Sequence, residues 1–313
     1  MIKDYIKSLK NTNEKKRRLN SKYTFINNSK KSKDLCIILS GYSNYLWEAV
    51  FGRIYKYAPK DLDICIVSSG IYSEELMKIA QKNGWSYVST KRNQLCIAQN
   101  IAISLFPEAE NVYKLDEDMF VTKEFFSDMK KVYEHAMTKS RYDVGFVSPL
   151  TPINAYGYIR LLEKIGKIDI YDKTIEKAIY GGSEDKGSSF LKNKEVPNFL
   201  NSIEELSDID ELSAFLNSQP MEYYPCPVRY NIGAIYFKRK VWEDMGMFSV
   251  PIGGCGLGVD ESDLCAYCIC NSKTMMISEN SAVAHFCYGA QKSDKLIEEY
   301  KKNEEKYLVK NEI

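Results

Sequence analysis

The sequence predicts an α/β protein with a mainly parallel central sheet, helices flanking it, and a helical insertion. Three observations carry this reading. Short, nearly continuous apolar runs, such as residues 34–40 and 62–67, have the pattern of strands buried on both faces. They alternate with stretches of about ten residues at helical spacing, the signature of βαβ units. Between these blocks, residues 151–222 turn polar and helix-leaning, with glycines at 181, 182 and 187 and an acidic run over 204–211.

Each element follows in order. The first strand, 34–40, is broken by residues 41–44, and a helix over 46–57 stops before Pro59. The second strand, 62–67, ends in Ser68-Ser69-Gly70. A helix over 73–82 has Ser73 as N-cap and Asn83-Gly84 as its stop. A third strand, 85–89, leads to a helix over 97–105 that ends before Pro107. The fourth strand, 112–115, is followed by a helix over 124–138 and a strand over 144–147. After the insertion, strand character returns at 232–237, with a short helix over 240–245 and a glycine-rich loop over 253–258. A helix over 261–270, strands near 274–277 and 282–286, and a charged tail helix over 293–307 complete the chain. The organisation expected is a basic arm (1–33), a main domain (34–290) and a C-terminal helix (291–313). The domain divides into a first half (34–149), a helical insertion (150–225) and a second half (226–290).

The 313 residues are 44% hydrophobic and 27% charged with a net charge of +1, an ordinary globular composition. No apolar run approaches the roughly 20 residues that span a bilayer, and no apolar signal core opens the chain. Nine scattered cysteines in so large a chain fit reduced thiols and a cytoplasmic setting. Cys265, Cys268 and Cys270 are spaced like metal ligands but lack the second pair or the histidines that zinc needs. Residues 1–33 are rich in Lys15, Lys16, Arg17, Arg18, Lys30, Lys31 and Lys33. Such a segment is either a solvated leader or a contact for anionic lipid at the inner membrane face. No motif for nucleic acid accompanies it.

Chemistry enters at the end of the fourth strand, in Asp116-Glu117-Asp118. Residues i and i+2 of a strand share a side, so two hard oxygen donors can face one cleft and suit Mg²⁺ or Mn²⁺. An isolated Asp-x-Asp is also a common solvated turn. Ligands in parallel sheets bind at the carboxyl ends of strands, where Ser40, Ser68 and Asp116 lie. Downstream come Asp260-Glu261-Ser262-Asp263 at a helix start and His285 near the end of the last strand. The acids serve equally as a helix cap or as an acid–base group, and His285 as a structural histidine or a ligand. His135 falls mid-helix and reads as a surface residue.

The order of these elements resembles the GT-A-fold glycosyltransferases, including the inverting family 2 type and the polypeptide N-acetylgalactosaminyltransferase type. The resemblance covers residues 34–149 and 226–288 and rests on Asp116-Glu-Asp118, the strand 231–237 with Met247-Phe248, the acidic 258–264 segment, and Ser281-Ala-Val-Ala-His285-Phe. It implies a metal-dependent transferase that moves a sugar from a nucleotide sugar, UDP-linked, to a glycan, lipid-linked or protein acceptor. It casts Asp118 as a metal ligand, Asp116 as its partner toward metal or ribose, and His285 as the ligand completing the site. Ser40, Tyr42 and Ser68 fall where the nucleobase is cupped, and Arg92 and Asn100 where base or diphosphate is met. Asp260, Glu261 and Asp263 fall at the acceptor side, as candidates for the carboxylate that deprotonates the acceptor hydroxyl. Two departures stand out: the second strand ends in serine rather than an acid, and the Asp260-Glu261 order is inverted relative to the common one.

Two other classes share this architecture. A sugar-nucleotide nucleotidyltransferase opens with a glycine-rich, Arg- and Lys-bearing loop, which Gly41-Tyr42-Ser43-Asn44 lacks. A non-catalytic glycan-binding module on the same fold would bind no nucleotide sugar with Mn²⁺. The insertion and the 253–258 loop are the segments expected to exclude water from a reaction in which hydrolysis competes.

Overall fold

The computed structural model describes residues 12–181 and 187–309. The first eleven residues of the expected basic arm, Gly182 and the last four residues of the tail lie outside the described residues. In chain order the helices are α1 (12–18), α2 (Trp47–Tyr57), α3 (Glu74–Asn83), α4 (Leu95–Ser104), α5 (Phe125–Lys139), α6 (Gly157–Lys164), α7 (Ile168–Thr174), α8 (Gly187–Lys192), α9 (Glu195–Asn201), α10 (Ile209–Asn217), α11 (Arg239–Asp244), α12 (Val259–Cys270) and α13 (Asp294–Lys302). The strands are β1 (Tyr23–Ile26), β2 (Asp34–Leu39), β3 (Asp63–Ser69), β4 (Ser86–Thr90), β5 (Asn111–Asp116), β6 (Met119–Phe120), β7 (Val144–Leu150), β8 (Tyr223–Cys226), β9 (Ala234–Lys238), β10 (Thr274–Ala282) and β11 (Ala284–His285). They form the expected α/β fold, in two compact units.

The first unit comprises Met1–Tyr42, Lys60–Asp116 and Phe237–Asn271. Its strands run β1-β4-β3-β2-β5. The β4-β3, β3-β2 and β2-β5 pairs are parallel, and β1 lies antiparallel on β4. The apolar runs of β2 and β3 are buried along their length because helices cover them, α4 packing on β2, β3 and β4. Helix α3 starts and stops as its sequence predicts. The Ser73 hydroxyl accepts from the Leu76 amide, and Gly84 takes the left-handed conformation at φ +69°.

The expected basic arm is not wholly an arm. Residues 23–26 form edge strand β1, with Tyr23 opposite Thr90 and Ile26 opposite Tyr87. Residues 29–32 then wrap the buried Asp63 carboxylate, which accepts from the Ser29 hydroxyl (2.8 Å) and from the amides of Lys30 (2.6 Å) and Ser32 (3.0 Å).

The second unit comprises Ser43–Pro59, Glu117–Tyr236 and Ser272–Ile313. Here β7 and β10 pair in parallel, β8 lies antiparallel on β10, and β6 pairs with β11 in a two-residue ladder. Strand β8 carries Pro225, which an edge strand tolerates, and the proline hides it from a pattern search. The insertion has its own core. Tyr158, Leu162, Tyr171, Phe190, Val196 and Leu200 are buried together, with the Tyr158 and Phe190 rings stacked at 4.0 Å.

Among the described residues no helix is long and apolar enough to cross a membrane. None of the nine cysteines, all among the described residues, is in a disulfide; Cys265 and Cys268 are buried and Cys270 is exposed.

Candidate functional site

In the first unit the strand ends present a polar rim. The Ser40 amide donates to the Val67 carbonyl (2.9 Å), which joins the ends of β2 and β3. The Tyr42 hydroxyl donates to the Ser69 carbonyl (2.8 Å) while its residue stays 62% exposed, so a ring face is held in place yet open. The Ser68 hydroxyl is buried and has no hydrogen-bond partner among the described residues. Gly70 closes β3 at φ +73°, and a Cβ there would stand 2.4 Å from the Asn93 Cβ. Only glycine fits this turn.

A buried charge cluster lies deeper in the same unit. Lys114 and Asp116, two apart on β5, share a side of the strand. The Lys114 ammonium is 2.8 Å from Asp116 Oδ1 and 3.9 Å from Asp260 Oδ2. Burial lowers the Lys114 pKa, but Asp116, Asp260 and Glu261 together outweigh it and hold the group above the ordinary lysine value. Gln99 of α4 donates to Asp260 Oδ2 (2.8 Å), and its own carbonyl is buried without a partner among the described residues. Asp260 and Glu261 are both buried in the first turn of α12, where the helix N-terminus favours negative charge. A lysine inside an apolar strand reads as an interruption, so sequence reasoning missed Lys114. The available signal was its i, i+2 relation to Asp116.

Three expected contacts prove to be engaged elsewhere. Asn100 is wholly buried. Its carbonyl accepts from Trp242 Nε1 (3.0 Å) and the Phe248 amide (3.0 Å), and its amide donates to the carbonyls of Phe248 (2.9 Å) and Arg18 (3.2 Å). Both acceptor and both donor positions of its side chain are thus engaged within the fold. Arg92 donates to the Asn20 carbonyl (2.9 Å). Asp263 accepts from the Ser249 amide (2.5 Å), which closes the loop before α12. The 253–258 loop is tied to the start of α4. The Leu95 amide donates to the Cys255 carbonyl (2.8 Å), and Gln94 donates to the Gly254 carbonyl.

In the second unit β6 and β11 set Met119 opposite His285, and the Phe286 amide donates to the Asp118 carbonyl (2.9 Å). The imidazole Nδ1 of His285 lies 2.7 Å from the Ile153 carbonyl. A carbonyl can only accept, so Nδ1 carries a proton and Nε2 is the site for a second proton or a cation. Nε2 stands 3.4 Å from Asp118 Oδ2. Between them Glu117 turns into the fold, where it accepts from Trp47 Nε1 (2.7 Å). The ladder is braced by Arg53, wholly buried, which donates to the Val121 carbonyl (3.1 Å), to both Asp210 oxygens (2.8 Å each) and to the Tyr307 carbonyl (2.6 Å). His285 also lines a cavity of about 140 Å³ with Ile153, Leu206, Tyr300 and Tyr307. That is well below the roughly 300 Å³ at which ligand pockets begin.

The Asp118–His285 pair suits a hard or borderline cation. Two donors 3.4 Å apart can share one ion at bonds of about 2.1 Å, and an imidazole oriented by a carbonyl is a usual metal ligand. Among the described residues no three His, Cys, Asp or Glu side chains converge, so this unit supplies two donors rather than a closed cage. His135 is exposed and packs on Tyr223, with Nδ1 3.0 Å from its hydroxyl.

No protein-family model and no curated protein matches the chain. Among solved structures the chain is similar to a mannosyltransferase from Pyrobaculum calidifontis in complex with GDP-Man and Mn²⁺. The identity is 14% and the TM-score 0.48, over 88% of this chain and 63% of that one. It is also similar to GalNAc-T7 with UDP, GalNAc and Mn²⁺, at 13% identity and a TM-score of 0.44, over 82% of this chain and 44% of that one. The chain thus spans less than two thirds of the length of either structure. At these identities and TM-scores neither likeness bears on the chemistry, which is read from the side chains.

Proposed function

We propose that the chain is a metal-dependent glycosyltransferase of the GT-A type. It would transfer a sugar from a nucleotide sugar, UDP-linked, to a glycan, lipid-linked or protein acceptor. The observation that carries this reading is the Asp118–His285 pair, in which the imidazole is fixed with Nδ1–H on Ile153 and Nε2 toward the carboxylate.

Asp118 and His285 are the residues that would hold Mn²⁺ or Mg²⁺, the ion that supplies charge neutralisation for a departing diphosphate. Asp116, held by Lys114, is already neutralised and suits a polar contact to the ribose better than a second metal bond. The exposed Tyr42 ring offers a stacking face, and the buried Ser68 hydroxyl offers an unpaired donor and acceptor for a base edge. Asp260 and Glu261, in the first turn of α12, would take the proton of an acceptor hydroxyl in this reading.

The test is a hydrolysis and transfer screen across nucleotide sugars with and without Mn²⁺, comparing the natural chain with Asp118→Ala. The variant is expected to lose transfer by 100-fold or more, on the order of a lost electrostatic contact to developing charge, and to lose Mn²⁺-linked nucleotide binding. Full activity in the variant, or no donor turned over by the natural chain, refutes the proposal.

A further inference from the structure

The basic N-terminal segment and the glycine-rich loop belong to one surface. Helix α1 is fastened to the chain just before that loop: Arg17 donates to the Val250 carbonyl (2.7 Å), and Arg18 donates to the carbonyls of Gly246 (2.5 Å) and Met247 (2.7 Å). Lys15 and Lys16 remain exposed on α1. The loop is fastened in turn to the start of α4 by Leu95 and Gln94. The residues just before, Lys91 and Arg92, bond back to Lys22 and Asn20, with the Lys91 amide 2.8 Å from the Lys22 carbonyl. Hydrogen bonds therefore run in a closed circuit from α1 through the loop to 91–95 and back to 20–22. All of it lies in the first unit.

Within this circuit the loop exposes two large apolar side chains, Ile252 at 99% and Leu257 at 82%. An isoleucine wholly in water, on a loop with glycines at 253, 254, 256 and 258, gains nothing for the fold. The segments tied to it carry exposed Lys15, Lys16, Lys22 and Lys91. The acid on α1, Glu14, is spent on Arg18 at 3.3 Å. Basic groups around protruding aliphatic side chains match an anionic bilayer: the lysines meet the headgroups and the aliphatic tips enter the acyl boundary. A nucleic acid would use the charge but has no place for Ile252 and Leu257.

We propose that this surface docks the protein on an anionic lipid membrane, with Ile252 and Leu257 inserting and the lysines of residues 15, 16, 22 and 91 contacting headgroups. The proposal does not depend on the sugar-transfer reading.

Co-sedimentation of the full chain tests it, with phosphatidylcholine vesicles and with vesicles of phosphatidylcholine and phosphatidylserine in equal parts. Binding is expected to the anionic vesicles only, and to fall as salt rises. Lys15→Glu/Lys16→Glu is expected to weaken partition at least about 25-fold, from about fivefold per basic residue near a charged leaflet. Ile252→Ser/Leu257→Ser is expected to weaken it about tenfold with an unchanged melting temperature, both side chains being exposed. Asp118→Ala should bind vesicles like the natural chain, which separates this surface from the proposed metal pair. No binding, equal binding to neutral vesicles, or unchanged binding by the apolar double variant overturns the proposal. So does equally tight binding to an oligonucleotide that the apolar variant leaves intact.

Discussion

Replacing Lys114 with methionine isolates the charge cluster of the first unit. The methionine keeps the volume and removes the ammonium. The Lys114 side chain is 3% exposed and that of Asp260 is 4% exposed, so the change leaves Asp260 as a buried carboxylate that keeps the Gln99 amide but loses its cation. Removing one partner of a buried ion pair costs about 3–5 kcal/mol. Asp116 is 37% exposed and recovers water, and Asp260 stands 3.9 Å away, so the low end, ~3 kcal/mol, applies. For a chain of 313 residues that corresponds to a melting point lower by on the order of 5 °C. Adding Asp260→Asn removes the stranded charge, and the double variant should regain ~1–2 kcal/mol, measured as the coupling in a double-mutant cycle by thermal melting. The pH dependence is fixed by sign. The folded pKa of Lys114 is raised. Its contribution is therefore complete below the unfolded lysine value near about 10.4 and is lost only as pH rises through the folded value. The gap between natural chain and variant should stay constant from neutral pH to about 10. A variant that melts within about a degree of the natural chain, or a cycle with no coupling, refutes the reasoning.

Two further outcomes follow from single buried groups. Arg53→Met should cost ~3–5 kcal/mol by stranding Asp210, and should speed proteolysis near Tyr307, whose carbonyl the guanidinium holds; Arg53→Lys should not rescue it, because an ammonium cannot replace the fork. Asp128 is 3% exposed, and burial raises its pKa despite the Ser278 hydroxyl bond at 2.5 Å. Ionising it therefore costs stability above the raised value and costs nothing below the unfolded value near about 3.9. Asp128→Asn should melt higher than the natural chain at pH 7, and the gain should vanish in acid; equal melting at both pH values would count against this.

The α/β pattern was legible because strands buried on both faces leave continuous apolar runs in the sequence, as in β2 and β3. The cap and stop of α3 were legible because Ser73 and Gly84 act through local backbone geometry. Edge strands β1 and β8 were not, since half-exposed residues and a proline blur the alternation. Asn100 lies on a helix buried almost all round, where a polar side chain must find partners within the fold, and no sequence pattern shows which. Lys114 was hidden by the same burial that gives it weight. Asp118 and His285 were legible as candidates, but the pairing of β6 with β11 that brings them to 3.4 Å spans only two residues on each side and leaves no periodic trace.

Strand β1 has a consequence for how the protein can be shortened. It occupies the edge of the first unit's sheet and covers the open side of β4. A truncation placed after residue 33, where the charge pattern suggests a clean boundary, would strip that cover, and with it the donors that satisfy the buried Asp63. Strand β4 would then offer a row of unpaired amides and carbonyls to any neighbouring chain, the arrangement that seeds edge-to-edge aggregation. The segment that reads as a dispensable leader is thus a gatekeeper of solubility, and its basic composition can drift only as far as the strand inside it allows.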